Sequence, residues 1–297
     1  MARLLLVHRD SELDELKDKL TSVEGLDIDT VADYGQALAR LEQKPFDALA
    51  TTMATGLDED LAFLEEARRF RPHIRAVFLA PSTSREEVLA ALRAQVYAVF
   101  SPPFEMDRVA DLVIKALQDA ETDGIQVVSA APHWITLRVR ARLLTADRVV
   151  AFVDELHGRL FEESRRDDLL VAFREILLNA IEHGAGFDAE KEVVITAIRS
   201  KRALSFHFHD PGPGFPAHPL PQAASSADPI SHMDYREEAG LRPGGFGMMV
   251  TRQLVDEVIY NEAGNEVLLV KHLHRAESAA DGEEPLATSA DPAAKSA

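Results

Sequence analysis

Residues 172–184, AFREILLNAIEHG, decide how the second half of this chain is read. Leu169, Phe173, Ile176, Leu177 and Ala180 recur at the spacing of one helix face, so 167–184 is predicted as a core-facing helix closed by Gly184. Glu175, Asn179 and His183 follow one another at intervals of four. Residues four apart are neighbours on a helix. Glu175 and Asn179 therefore share a flank beside the apolar stripe, where a helix can border a pocket.

Working outward, EVVITAIRS (192–200) and ALSFHFHD (203–210) alternate as two strands joined across SKR, and the second runs into DPGPGF (210–215). Asp210, Gly212 and Gly214 make a tight turn with an exposed carboxylate. About thirty residues on, RPGGFGMMVTRQLVDEV places Gly244, Gly245 and Gly247 before a helix carrying Met248, Met249, Val250, Leu254 and Val255. Glycines at a helix N-terminus let backbone N–H groups approach phosphate oxygens, and the helix dipole favours the negative charge. Each feature alone is common: a turn, a loop, a solvated helix flank. Their order and spacing make them one reading. WITLRVRARL (134–143) before them is predicted as a strand with one wet face. TADRVVAFVDELHGRLF (145–161) is predicted as a helix capped by its threonine, and NEVLLVKHL (265–273) as the last strand.

These segments resemble the three sequence boxes of the GHKL ATPase fold, over about 127–273, and within that superfamily they look most like the anti-sigma-factor serine/threonine kinases. The resemblance implies an α+β ATP-binding sandwich, a mixed sheet with helices on one face, that uses ATP and Mg²⁺. It implies that Asn179 is the Mg²⁺ ligand bridging the phosphates and Glu175 the general base for the attacking hydroxyl. It further implies that Asp210 accepts from the adenine amino group above Gly212 and Gly214, and that Gly244, Gly245 and Gly247 contact the phosphates. Arg242 is either a γ-phosphate contact or a surface arginine of the lid, which the resemblance places at 215–239. His183 is a packed or capping residue rather than a catalytic one. Val270 stands where the family usually has a threonine near the base, which removes one polar contact.

The first ~120 residues alternate short apolar strands with helices: RLLLV (3–7), FDALATT (46–52), IRAVFLA (74–80) and AVFS (98–101) against helical segments from 11, 57, 84 and 106. Repeated βα units imply a parallel sheet with helices on both faces. Order and lengths resemble a flavodoxin-like response-regulator receiver, down to SPPF (101–104), where that family usually has Lys-Pro-Phe. A plain α/β unit of the same topology is the alternative. The receiver's chemistry does not carry over. Its acidic metal-binding places after the first strand hold His8 and Arg9, with only Asp10 nearby. The phosphoacceptor aspartate falls at Thr52, the Thr/Ser at Ala80 and the lysine at Pro102. A cation site needs several oxygen ligands, so a degenerate receiver is expected.

The predicted organisation is a receiver-like unit over 1–120, a polar linker at 121–126, the ATPase unit over 127–274 and a disordered acidic tail over 275–297. The chain has 297 residues, 46% hydrophobic and 28% charged, without cysteine. That composition is globular and excludes disulfides, thiolate metal sites and a cysteine nucleophile. A net charge of −18 opposes nucleic-acid binding. The run LLLV near the start is too short for a signal core or a membrane span, so a cytoplasmic protein without membrane association is expected. The leading expectation is a kinase that phosphorylates a serine or threonine of a protein partner of the anti-anti-sigma type and switches partner binding. Such kinases often dimerise, so a homodimer is a further expectation. A scaffold that binds ATP without turnover is the alternative. A histidine kinase is the third, but it needs a dimerising helical hairpin, and only about 15 residues separate the units. His157 then reads as a solvated or core histidine.

Overall fold

The computed structural model describes residues 2–8, 13–52, 56–119, 124–214 and 247–273. The first unit runs β1 (Ala2–Val7), α1 (Asp14–Thr21), β2 (Leu26–Val31), α2 (Tyr34–Gln43), β3 (Ala48–Thr51), α3 (Leu57–Phe70), β4 (Arg75–Leu79), α4 (Arg85–Arg93), β5 (Ala98–Phe100) and α5 (Met106–Gln118). Its sheet is parallel in the order β2-β1-β3-β4-β5, the flavodoxin-like order. The continuous run Leu4–Val7 is fully buried because both faces of β1 are covered. Leu5, Leu49 and Phe78 pack with α2, α3 and α4 residues such as Leu41, Phe63 and Val88, while Leu4, Leu6 and Val77 pack with Leu16, Leu20 and Val113 of α1 and α5. The pair β2–α2 has no clear sequence signature. LDIDTV lies at the sheet edge, and only Val31 of it is buried. Ser84 caps α4 in a reciprocal bond with Glu87, as its sequence predicts.

The second unit runs β6 (Ile125–Ala131), β7 (Trp134–Arg140), α6 (Leu143–His157), a short turn at Gly158–Leu160, α7 (Glu163–Asn179), a wide π turn (Ala180–Gly184), β8 (Glu192–Arg199), β9 (Ala203–His209), α8 (Gly247–Leu254), β10 (Glu257–Tyr260) and β11 (Glu266–His272). Its sheet has the order β10-β11-β9-β8-β7-β6. The expected α+β layering forms, but the sheet is antiparallel at every described pairing rather than mixed. Alternate residues Ile135, Leu137, Val193, Ile195, Phe206 and Phe208 are buried toward α6 and α7. Phe173 of α7 stacks edge-on against Phe206, ring centroids 4.9 Å apart. The opposite face leaves Trp134 and Ile198 about half exposed.

Helix α6 serves both units. It begins at Leu143 with Arg142 in the cap position, and Thr145, expected to cap it, is buried inside. Arg148 is fully buried. It donates to the carbonyls of Tyr97 (3.2 Å) and Val96 (3.4 Å) and lies over the Tyr97 ring. Glu155 accepts from the Ser101 backbone N–H (2.8 Å), the Ser101 hydroxyl (2.7 Å) and the Thr83 hydroxyl (3.0 Å) at the carboxyl ends of β4 and β5. Asp154 takes Arg108 of α5 and Arg166 of α7 at once. Among the described residues no helix is long and apolar enough to cross a membrane.

Candidate functional site

Helix α7 supplies one wall of the site. Leu169, Phe173, Ile176, Leu177 and Ala180 are buried as their spacing predicts, and Glu175 and Asn179 are half-buried beside them. The α-helical hydrogen bonding stops at Asn179, and the last turn widens to π geometry. His183, in that turn, is exposed rather than packed.

Gly184 was read as a helix stop, and it is more than that. Its Cα lies against the Asp210 side chain so closely that any Cβ there would collide with the carboxylate. A Cβ on Gly212 would stand 2.6 Å from the Gly184 carbonyl oxygen. The end of α7 and the turn after β9 thus meet through two bare backbones. Asp210 Oδ1 accepts the Gly212 N–H at 2.8 Å. Burial pushes the Asp210 carboxyl above its ordinary value, and the Gly212 N–H bond and the nearby His209 oppose that shift. Gly214 has φ +76°, where a side chain is strained.

The N-terminus of α8 closes the site from the other side. A Cβ on Gly247 would lie 2.5 Å from Glu175 Oε2 and 4.0 Å from Asn179 Nδ2. The carboxylate and the amide therefore face the end of α8 that carries the helix's positive dipole. Thr251, fully buried, ties its hydroxyl to the Gly247 carbonyl at 2.7 Å. At the far end Lys271 of β11 donates to the Leu254 carbonyl at 2.5 Å, a cation at the negative helix terminus. Burial holds the Lys271 amine below its ordinary value. Val270 is buried in β11 between Glu257 and Ser205, its ladder partners.

Glu175, Asn179 and Gly247 are thus brought together, as are Gly184, Asp210 and Gly212, with both clusters at the C-terminal part of α7 and its π turn. Arg242, Gly244, Gly245 and the lid segment lie outside the described residues. Among the described residues no three His, Cys, Asp or Glu gather as a metal cage. The contact of Gly184 with Asp210 and the β10–β11 turn against Gly214 leave no signal in the sequence beyond the glycine that closes the helix at 184.

In the first unit, Thr52 follows directly on β3 and donates its N–H to Val7 O, and Ala80 follows β4 and donates to Phe100 O. Both occupy the places expected of them, and neither carries a carboxylate.

Solved structures similar to this chain fall on the first unit. A response regulator receiver domain protein from Methanospirillum hungatei is 23% identical over 40% of this chain and 94% of its own, with a TM-score of 0.35. A Francisella response regulator receiver domain is 17% identical over 41% of this chain and 100% of its own, TM-score 0.36. A pilus assembly protein from Caulobacter crescentus is 13% identical over 38% and 97%, TM-score 0.34. No curated protein matches the chain. The sequence profile of the histidine kinase-like ATPase domain matches residues 139–271, a span that opens in β7, closes in β11 and contains every element of the site. Residues 139–271 therefore match the histidine kinase-like ATPase domain, and they follow a unit of flavodoxin-like fold.

Proposed function

We propose that this ATP-binding signalling regulator is a serine/threonine protein kinase of the anti-sigma-factor type, in which an N-terminal degenerate receiver over 1–120 is joined through 121–126 to the kinase unit over 127–274. The observation that carries the reading is the approach of Gly247 to Glu175 and Asn179. It sets a carboxylate, an amide and a helix N-terminus around one point, the set that phosphoryl transfer requires. Asp210 holds the adenine, and the turn at Gly212 and Gly214 shapes the floor beneath it. The N-terminus of α8, with Gly244, Gly245 and Gly247, receives the phosphates, and Arg242 reaches the γ-phosphate. The Asn179 amide oxygen suits a Mg²⁺ ion, which keeps most of its waters and takes its other ligands from phosphates. When bound, that ion offsets charge on the phosphates. Glu175 accepts the proton of the attacking hydroxyl.

The second reading is a scaffold that binds ATP without transfer. Its support is the tight seating of α6 across both units, which makes partner binding by a rigid two-unit body workable without chemistry. A histidine kinase is disfavoured. His157 is 6% exposed and packs edge-on to Phe206, and burial lowers its pKa to about 4, so it offers no accessible phosphoacceptor. The deciding experiment incubates the full chain with γ-labelled ATP, Mg²⁺ and proteins co-purified from native extract. Label on a partner serine or threonine is expected. ATP-dependent partner binding with no label on any protein overturns the kinase reading in favour of the scaffold.

A further inference from the structure

The β10–β11 connection, residues 261–265, lies under the Asp210–Gly214 turn. Two backbone bonds close it, Asn261 N–H to Glu266 O (3.1 Å) and Gly264 N–H to Asn261 O (3.2 Å), and one side chain organises the rest. Asn261 Oδ1 accepts three backbone N–H groups, from Gly264 (2.7 Å), Asn265 (3.1 Å) and Glu266 (3.1 Å). Its Nδ2 donates to Asn265 Oδ1 at 2.9 Å. The side chain thus spends both its polar atoms on this turn. The turn in turn grips both ends of the Asp210–Gly214 segment. Asn265 O accepts the Asp210 backbone N–H at 3.1 Å. The Ala263 carbonyl presses so closely on Gly214 that no Cβ fits between them, and Asn265 N is 3.1 Å from the same point.

We propose that Asn261 is a positioning residue for base recognition: it sets the 261–265 turn, which holds the Asp210 carboxylate and the Gly214 backbone at the spacing that selects adenine over guanine. The inference rests on the adenine reading of Asp210. Asn261 does not touch the nucleotide. It acts through the backbone contacts at Asp210 N and Gly214 rather than through Glu175, Asn179 or the N-terminus of α8, so base selection and phosphate binding separate.

Affinities of the full chain for ATP and GTP, measured by calorimetry, test this. Asn261→Ala should weaken ATP about tenfold, the scale of one or two lost hydrogen bonds, and leave GTP unchanged, so the ATP/GTP preference falls about tenfold. Asn261→Asp keeps the accepting oxygen and should restore the preference to within about twofold of wild type. Equal losses for ATP and GTP would mean that Asn261 only stabilises the unit, and an unchanged preference in a folded Asn261→Ala protein would equally overturn the proposal. If Asn261→Ala does not fold, Gly264→Ala is read the same way, because it strains the same turn at φ +77°. Asp210→Asn separates the two levels. If it leaves the preference intact, the adenine reading and this proposal fall together. If it abolishes the preference and neither turn variant does, only the proposal falls.

Discussion

The two units of this chain place opposite chemistry at comparable positions. In the first, the carboxyl ends of β3 and β4, where open α/β sheets bind ligands, present Thr52 and Ala80, and Pro102 follows β5. These strands are almost wholly buried, and none of Thr52, Ala80 and Pro102 offers a carboxylate; the Glu155 carboxylate at the ends of β4 and β5 comes from α6 of the second unit. In the second, Glu175, Asn179 and Asp210 are present, and glycines at 184, 212 and 247 let backbones come within reach of those side chains. The difference teaches that a fold rests on its apolar pattern, whereas a site also needs polar groups and close-approach residues brought together. The buried carboxyls repeat the contrast. Asp60 in α3 is 1% exposed, bonded to Tyr34, and pushed by burial to about 7. Asp210 is also pushed up by burial, but the Gly212 N–H supports its charge. The first carboxyl is a core group, and the second is only half-buried, at the turn after β9.

The largest expected effect tests whether the second unit keeps its chemistry. Glu175→Gln should lower transfer to a partner serine by about 10²–10⁴ with Mg·ATP affinity nearly intact, while Asn179→Ala should lose affinity and turnover together. Single-turnover rates beside calorimetry check both. Transfer by Glu175→Gln at the wild-type rate would remove the base from the mechanism.

Next in size is the core carboxyl of the first unit. Folded Asp60 holds its proton to about pH 7, whereas unfolded it loses it near 3.8. Between those values the unfolded state binds fewer protons, so this group's contribution to stability falls as pH rises from about 4 to about 7 and stays low above that. The shift corresponds to at most about 4 kcal/mol. Asp60→Asn should therefore be more stable than wild type at pH 8 and lose that advantage at pH 4, as read by urea unfolding. An equal difference at both pH values would refute the assignment.

Asp210→Asn should weaken ATP by about ten- to hundredfold, matching a lost charged hydrogen bond of roughly 1.5–3 kcal/mol. Unchanged affinity in a folded protein would break the adenine assignment. The smallest effect expected is none: acetyl phosphate or beryllofluoride with Mg²⁺ should leave residues 1–120 unmodified by intact-mass analysis, since Thr52 offers no carboxylate. Saturable binding there would erase the contrast between the units.

What could be read from the sequence follows a physical division. Strands buried on both faces, such as β1, show as unbroken apolar runs, and α7 shows as a stripe, because burial dictates residue type directly. The edge strands β2, β6 and β10 show no such signature, since an element with one wet side or few residues imposes a weak pattern. Thr145 has the chemistry of a cap, but the helix started two residues earlier and enclosed it.

The sequence by itself determined an α/β unit followed by an α+β unit, and the places of Thr52, Ala80, Glu175, Asn179 and Asp210 along their elements, because these depend on residue type and local spacing. Tertiary structure alone decided that α7 ends in a π turn, that Gly184 packs its bare Cα against Asp210, and that α6 joins the units through Arg148 and Glu155. It also decided that the 261–265 turn packs against the Asp210–Gly214 turn. These are meetings between segments far apart in the chain, and a close approach of two backbones leaves no periodic trace in either one.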